Sequence, residues 1–210
     1  MKVNERSVEI PWMLSKVGIP RRVLDVGAAD ATYLSDLAKR AGMVGGLAYA
    51  IDTRMFDAPP GIIFEVCNAA AMPAEWSGTF DCVTCVSTLD HIGLAAYGNA
   101  PNPGACLRVT NEIWRVTAPG GRLLLTVPFG ADRVTKFPGG MQRVFGGAAL
   151  AWLFQAPLDE PRDSRWKWLN VQVFRLIDEV YVASNLLACW ECQYLEDRAE
   201  AVLCAELQRC

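Results

Sequence analysis

Histidine is almost absent from this sequence, because His91 is the only one among 210 residues. A Ser-His-Asp triad needs an imidazole, so a hydrolytic site of that kind is excluded unless His91 itself belongs to it. The residues around Ser87 also lack the Gly-x-Ser-x-Gly turn that exposes a nucleophilic serine in many hydrolases. Nucleophilic hydrolysis is therefore not the favoured chemistry.

Long apolar runs are missing as well. No stretch approaches the roughly 20 apolar residues of a membrane span, and residues 1–6 lack the apolar region of a secretory signal. The formal charge of -3 and the pI near 5.3 provide no general attraction for nucleic acid. These absences predict a cytoplasmic protein that acts on a small molecule, with no membrane or nucleic-acid partner. Homo-oligomerisation stays open.

The chain does contain enough apolar sequence for one substantial core. Apolar residues make up 52% of the sequence and charged residues 20%, which is typical of a globular domain. No linker, internal repeat or low-complexity tract divides the chain. We therefore expect a single domain over residues 1–210, in which residues 1–20 form an N-terminal helical extension.

Eight cysteines are spread through apolar segments, and we expect most of them to be reduced and buried. Cys82 and Cys85 lie three residues apart in a predicted strand, so their side chains point to opposite faces and do not suit a shared metal. The less favoured alternative is a zinc site formed by Cys189, Cys192, Cys204 and Cys210. The second of these pairs lacks the usual ligand spacing, so no metal is predicted.

A strand, a tight turn and a helix open the main part of the chain. The apolar run Arg22–Val26 ends at Gly27, and Asp30 is a plausible N-cap for a helix with apolar residues at helical spacing. Gly42 is predicted to follow the end of this helix. Unpaired N–H groups at such a helix start favour an anionic or nucleotide-like ligand.

Further apolar runs predict the rest of a parallel sheet. The second strand is followed by Asp52, whose carboxylate is placed to accept hydrogen bonds from the two ribose hydroxyls of a nucleoside. Between the predicted strands 80–86 and 122–128, apolar residues at helical spacing from Cys106 to Val116 predict a helix. The strands predicted after the first are 47–51, 62–66, 80–86, 122–128, 169–176 and 201–208.

The motif Asp25-x-Gly27-x-Ala29-x-Ala31 resembles the first motif of the class I S-adenosylmethionine (SAM)-dependent methyltransferases, with alanine at two of the family's glycines. Asp52 and the turn Pro119-Gly120-Gly121 before an apolar strand extend the resemblance, which covers residues 22–154. It implies a doubly wound α/β fold with a mostly parallel, seven-stranded Rossmann-like sheet. The last strand would be antiparallel, between the fifth and sixth. SAM is the implied cofactor.

The resemblance also implies which residues contact SAM. Gly27 and its neighbours would lie against the methionine portion and Asp52 against the ribose. Asn68 would accept a hydrogen bond from the adenine amino group, although it is equally well explained as a turn residue. The full implied set is Asp25, Gly27, Ala28, Ala29, Asp52, Thr53, Cys67, Asn68, Ala69 and Ser87.

The loop Ser87–Leu94 resembles that of a bacterial subgroup of the family, often linked to polysaccharide or secondary-metabolite pathways. His91 is the candidate general base for a substrate hydroxyl, and Asp90 either orients it or binds the substrate. The alternative is that His91 caps the loop or packs on the cofactor without taking part in the chemistry. Tyr97 and Arg143 are the candidate substrate-binding residues, and an exposed Arg143 without such a role is the alternative.

The implied reaction is in-line transfer of the SAM methyl group to an oxygen or nitrogen of a small acceptor, with positioning providing most of the rate. A SAM-binding scaffold without turnover is one alternative, because two glycines of the first motif are lost. A nicotinamide-dependent oxidoreductase is the other. It is disfavoured, since the chain has neither Gly-x-Gly-x-x-Gly nor a Tyr-x-x-x-Lys pair.

Overall fold

A computed structural model describes residues 3–95, 100–137, 140–156, 164–195 and 197–210. Within these ranges the chain forms four α-helices and ten β-strands. The helices are α1 (Arg6–Lys16), α2 (Leu34–Gly42), α3 (Ala105–Val116) and α4 (Gly147–Phe154). The strands are β1 (Arg22–Val26), β2 (Leu47–Asp52), β3 (Ile62–Val66), β4 (Phe80–Val86), β5 (Thr117–Pro128), β6 (Arg133–Phe137), β7 (Gly140–Val144), β8 (Trp166–Ile177), β9 (Val180–Ser184) and β10 (Ala201–Arg209).

Eight of the strands form one sheet in the order β3-β2-β1-β4-β5-β10-β8-β9. The first five are parallel, and β10 runs antiparallel to both of its neighbours, β5 and β8. The predicted mostly parallel α/β sheet with an antiparallel last strand is therefore confirmed. The predicted number of seven strands omits β9, which forms a hairpin with β8 and adds an eighth strand at the edge.

Helices cover both faces of this sheet. Successive residues of a strand point to opposite faces, so each strand contributes side chains to two cores. In β1, Val23 joins the core under α1 and α2, whereas Leu24 joins the core under α3 and α4. The helix residues buried in the first core include Trp12, Met13, Leu34, Leu37 and Ala41. Those buried in the second include Cys106, Val109, Ile113, Leu150 and Phe154. The two cores produce the doubly wound arrangement.

The connections between β2 and β4, all within the described residues, contain no α-helix and only a 3-10 turn at Ala74–Trp76. Three aromatic rings fill part of this space. Tyr49, Trp76 and Phe80 meet edge to face, with ring centroids 5.3 to 5.7 Å apart. Strand β3 stays half exposed. The carboxyl ends of β2 and β3 are therefore bordered by loops.

Helix α2 begins and ends differently from the prediction. Asp30 is not its N-cap, because the helix starts only at Leu34 and the Asp30 carboxylate binds Arg54 at 2.7 Å. Gly42 is the last helical residue and not the residue beyond the helix. The left-handed backbone of this turn is at Gly45, with φ 65°. The helical spacing of the apolar residues predicted the helix, but the local sequence did not predict its termini.

One further expectation changes in the C-terminal half. In the segment Phe137–Met141, predicted as a loop, Phe137 ends β6 and Gly140 and Met141 begin β7, the two strands of an antiparallel ribbon, while residues 138 and 139 lie outside the described ones. The zinc alternative finds no support, because the described residues contain no group of three His, Cys, Asp or Glu side chains suited to a metal. Among all the described residues, no helix is long and apolar enough to cross a membrane.

Candidate active site

A cavity of about 410 Å³ opens at the carboxyl ends of β1, β2, β3 and β4. This edge of a parallel sheet is where ligands bind in open α/β folds, and the volume is within the range of small-molecule sites. Residues of α1 and α3 complete its walls. The predicted site residues that line it are Gly27, Asp52, Thr53, Cys67, Asn68, Ala69, Ser87 and His91.

Gly27 makes the turn that leaves β1, and its backbone is left-handed with φ 85° and ψ 50°. A Cβ at this position would lie 2.3 Å from both Cγ2 and Oγ1 of Thr88. Ala29 and Ala31 do not adopt positive φ, and Ala31 has φ -80°. Of these three positions, only Gly27 needs glycine, so the two alanines place no strain on the turn.

Asp25 lies beneath this turn and not in the cavity wall. Its Oδ1 accepts hydrogen bonds from the hydroxyls of Tyr33 at 3.0 Å and Thr84 at 2.5 Å. Burial raises the pKa of Asp25 to about 6, although both hydrogen bonds favour the charged form. Ala28 is fully buried and also lies outside the lining. These two residues support the turn without reaching the cavity.

Asp52 is fixed by backbone donors at the end of β2. Its Oδ2 accepts the N–H of Ala29 and its Oδ1 accepts the N–H of Arg54, each at 2.9 Å. Ala29 does not line the cavity, so its part here is to hold Asp52. Arg54 also donates to Asp30. Because each carboxylate oxygen has two lone pairs, Oδ2 keeps the capacity to accept a ligand hydroxyl.

Asn68 adopts the turn conformation that the sequence left open. Its Oδ1 accepts the N–H of Ala70 at 2.9 Å, which is the hydrogen bond of an Asx turn. The residue still lines the cavity, between Cys67 and Ala69. Recognition of an adenine amino group by the same oxygen would use its second lone pair.

Ser87 has an unusual backbone at the end of β4. It is 5% exposed and has φ 41°, a left-handed value that is uncommon for a residue with a side chain. Its Oγ donates to Oε1 of Glu9 at 2.5 Å, and its N–H donates to Oγ1 of Thr126 at 3.0 Å. Helix α1 and β5 therefore both hold this residue against the cavity.

His91 and Asp90 lie together, and β7 supplies the partners of both. The His91 Nδ1 is 3.2 Å from the carbonyl of Met141, and its Nε2 is 3.5 Å from Oδ2 of Asp90. Gln142 donates to the same Asp90 oxygen. Asp90 is fully buried, which raises the pKa of its carboxyl, and it does not line the cavity. Its position suits orientation of His91 and not direct contact with a substrate.

The two predicted substrate-binding residues have different outcomes. Tyr97 lies outside the described residues. Arg143 points away from the cavity lining, and its Nη1 donates to the carbonyl of Ile92 at 3.2 Å and to Sγ of Cys106 at 2.7 Å. It is neither an exposed cation nor a wall residue. It fastens the loop after β4 to helix α3.

Replacing Arg143 by glutamine is therefore expected to reduce stability. Loss of the hydrogen bonds from a charged donor costs about 1–2 kcal/mol, which lowers the Tm of a chain of this size by about 3–6 °C. Circular dichroism during heating measures the shift. The control is Arg133→Gln, on the exposed part of β6, which is expected to change the Tm by less than about 1 °C. An unchanged Tm for Arg143→Gln would contradict this structural role.

Three arginines in the cavity wall were not among the predicted site residues. They are Arg6, Arg54 and Arg108. Arg54 had a local signal, since it follows Asp52 by two residues in the turn after β2. Arg6 and Arg108 lie on helices, and nothing in the local sequence distinguishes them from ordinary solvated cations. Their places in the wall depend on how α1 and α3 dock against the sheet.

The sheet has five parallel strands, and β10 lies antiparallel between β5 and β8. Together with a cavity over the glycine turn of β1, this arrangement defines the class I SAM-dependent methyltransferase fold. Two sequence relationships cover parts of the chain. Residues 62–157 match the family model described as "Caenorhabditis protein of unknown function, DUF268". The ubiquinone biosynthesis O-methyltransferase of Pseudomonas aeruginosa is 25% identical over an alignment of 126 residues that covers 57% of this chain and 50% of that protein.

Solved structures share the fold over nearly the whole chain. A SAM-dependent methyltransferase from Methanosarcina mazei has a TM-score of 0.62 and 16% identity, covering 95% of this chain and 97% of that one. The 1,6-didemethyltoxoflavin-N1-methyltransferase of Burkholderia thailandensis, solved with 1,6-didemethyltoxoflavin and S-adenosylhomocysteine, has a TM-score of 0.60 and 15% identity. That match covers 97% of this chain and 77% of the other. By contrast, this chain spans about half the length of the curated O-methyltransferases that it matches.

Proposed function

We propose that this protein transfers a methyl group from SAM to an oxygen or nitrogen of a small-molecule acceptor. The observation that carries the proposal is that one cavity gathers Gly27, Asp52, Asn68 and His91 from the ends of four strands and the loops that follow them. These are residues that the sequence resemblance implies for SAM binding and catalysis. The similarity to a ubiquinone biosynthesis O-methyltransferase supports the same reaction class.

The cavity wall offers a separate surface for each part of SAM. We assign the methionine portion to the turn at Gly27, the ribose to Asp52, and the adenine to the segment that includes Asn68 and Ala69. Thr53 and Cys67 complete the wall on either side of these contacts. When bound, SAM supplies an electrophilic methyl group on a sulfonium.

His91 is our candidate for the group that manages the acceptor's proton. The Met141 carbonyl can only accept a hydrogen bond, so in neutral His91 the proton belongs on Nδ1 and Nε2 remains basic. Asp90 lies beside Nε2 and stabilises the imidazolium if His91 takes up a second proton. Alignment of the acceptor by the loop Ser87–Leu94 would provide most of the rate.

A small acceptor fits the size of the cavity, and the toxoflavin-type ligand named for the Burkholderia enzyme provides a precedent. We further propose that residues 1–210 act as one domain, with α1 as the wall of the cleft. Cytoplasmic location, absence of a nucleic-acid partner and the oligomeric state remain predictions.

Calorimetric titration with S-adenosylhomocysteine (SAH), with NADH as the competing cofactor, tests the proposal. We expect SAH to bind with micromolar affinity and NADH not to bind. Failure of a folded sample to bind SAH would contradict the proposal, and binding of NADH instead would favour the oxidoreductase. If SAH binds but SAM is not consumed with a broad panel of hydroxyl and amine acceptors, the scaffold alternative is favoured.

Asp52→Ala is expected to weaken SAH binding by about 10- to 100-fold, because a charged acceptor of two ribose hydroxyls contributes about 1.5–3 kcal/mol. The same titration measures the loss. The control is Asp57→Ala, which removes an exposed carboxylate from the following loop and is expected to leave the affinity within about twofold. Equal affinities for the two variants would refute the ribose assignment.

A further inference from the structure

Glu9, on α1, is a buried carboxyl group directly behind the cavity wall. It has no exposed surface, and its Oε1 accepts the hydrogen bond from Ser87 described above. Its Oε2 makes no hydrogen bond in the described part of the chain. The nearest positive charge is the guanidinium of Arg6, with Nη1 3.6 Å from Oε2. A buried carboxylate with one oxygen held only by an ion pair is poorly compensated.

Arg6 connects this carboxyl group to the cavity. It lines the cavity, its side chain is 37% exposed, and its Nη1 donates to the carbonyl of Val86 at 3.1 Å. Val86 lies two residues before Thr88, which packs against Gly27. The guanidinium is therefore at the Gly27 end of the cavity, where we have placed the methionine portion of the cofactor.

Of the three arginines in the wall, Arg6 is the one bonded to the strand end beside Gly27, whereas Arg108 lies on α3. Asp30 and Asp52 both bind Arg54, so these three groups satisfy one another. Among the described residues, Glu9 is the carboxylate that pairs with Arg6. An anionic ligand group entering beside Gly27 would compete with Glu9 for the same guanidinium.

We propose that Glu9 and Arg6 form a proton-linked site for the carboxylate of the cofactor's amino-acid end. When Glu9 is ionised, it holds Arg6. When Glu9 takes a proton from solvent, its ion pair ends and Arg6 is released to bind the ligand carboxylate. No other bond changes, and Ser87 can donate to either form of the carboxyl group. This inference rests on the proposed function, because the ligand is SAM or SAH.

The groups that face Glu9 determine when it ionises. Burial raises the pKa of Glu9 to about 7, the charge of Arg6 lowers it, the charge of Glu5 raises it, and hydrogen bonding to Ser87 and Thr126 lowers it. Tyr181 and Cys204 lie behind it as neutral groups. A ligand carboxylate that shares Arg6 removes part of the stabilisation of ionised Glu9. Binding is therefore coupled to uptake of a proton near neutral pH.

Calorimetric titration of SAH into the full chain at pH 6 and pH 8, in two buffers of different ionisation enthalpy, tests this coupling. If the ligand binds only the form with protonated Glu9, affinity is about tenfold weaker at pH 8 than at pH 6, with uptake of about one proton at pH 8. In Glu9→Gln, we expect affinities within about twofold at the two pH values and proton uptake near zero. A wild-type slope and uptake in this variant would overturn the proposal.

Two further variants keep the result interpretable. Glu5→Gln makes the same chemical change one turn earlier on the chain, at a buried group without a bond to Ser87, and should keep the wild-type slope. Loss of the slope in Glu5→Gln would overturn the assignment to Glu9. Arg6→Gln, at a partly exposed position, should weaken binding at pH 6 by about tenfold and abolish the slope.

The outcomes separate this proposal from the proposed function. If the folded wild-type chain fails to bind SAH at both pH values, the proposed function is overturned and this inference with it. If SAH binds equally well at pH 6 and pH 8 without proton uptake, only the Glu9 and Arg6 site is overturned. Full wild-type affinity in Arg6→Gln at pH 6 would also overturn it.

Discussion

Gly27→Ala is expected to destabilise the folded chain by about 2–4 kcal/mol and to weaken SAH binding at least about 100-fold. Two effects combine at this position. The backbone has φ 85°, and the new methyl group would lie 2.3 Å from two side-chain atoms of Thr88. The loop after β4 must then move, and that loop is part of the cavity wall. Urea denaturation and SAH titration measure the two losses.

Gly45→Ala separates backbone strain from the clash. Gly45 also has positive φ, 65°, but no atom lies within 4 Å of the position that a Cβ would take. We expect a loss of only about 1 kcal/mol and unchanged SAH affinity. If Gly45→Ala is as damaging as Gly27→Ala, close packing of Thr88 is not the reason for the glycine at the end of β1.

Wild-type stability is expected to fall by about 2–3 kcal/mol between pH 5 and pH 8 relative to Glu9→Gln. In the unfolded chain a glutamate ionises near its usual pKa of 4.5, whereas burial raises the pKa of folded Glu9 to about 7. Between these values the folded state binds more protons than the unfolded state. The contribution of Glu9 to stability is therefore fully present below pH 4.5 and is lost as the pH rises through 7. Urea denaturation at several pH values measures the slope.

The matched control is Glu75→Gln, which makes the same change at an exposed position and should preserve the wild-type pH dependence. Some dependence should also remain in Glu9→Gln, because burial raises the pKa of Asp25 to about 6. That group acts with the same sign, over a window from about pH 4 to pH 6. Parallel curves for the wild type and Glu9→Gln would show that folding does not raise the pKa of Glu9.

The parts of the site that were predictable are those at strand ends. Apolar runs predict the strands, and a general rule brings the carboxyl ends of parallel strands to one edge. Together with the family resemblance, which implies Gly27 and Asn68, this grouped Gly27, Asp52, Asn68 and His91 from the sequence. The structure gathers all four around one cavity. Their individual roles could not be predicted in the same way. The use of the Asn68 oxygen within its own turn, for example, depends on the local backbone path.

The residues that were missed depend on contacts between distant segments. Arg6 and Glu9 look like an ordinary i, i+3 pair on an amphipathic helix until α1 docks on the carboxyl ends of β4 and β5. Arg143 followed a family pattern, but its guanidinium binds Cys106, which is far away in sequence. Asp30 has a side chain suited to an N-cap, but its carboxylate forms an ion pair with Arg54 instead of capping α2. In each case tertiary partners override a sound local signal.

Helix α1 has a consequence for the order of events during synthesis. It is synthesised before the strands that hold it: Arg122 of β5 donates to the carbonyl of Lys16, and Arg198, just before β10, donates to the carbonyl of Val3, three residues before the helix. Contacts that close such long loops form late in folding. A nascent chain therefore cannot fix α1 against the cavity until β10 has emerged, and the newborn protein gains its full stabilisation from the ligand only after translation of this region has ended.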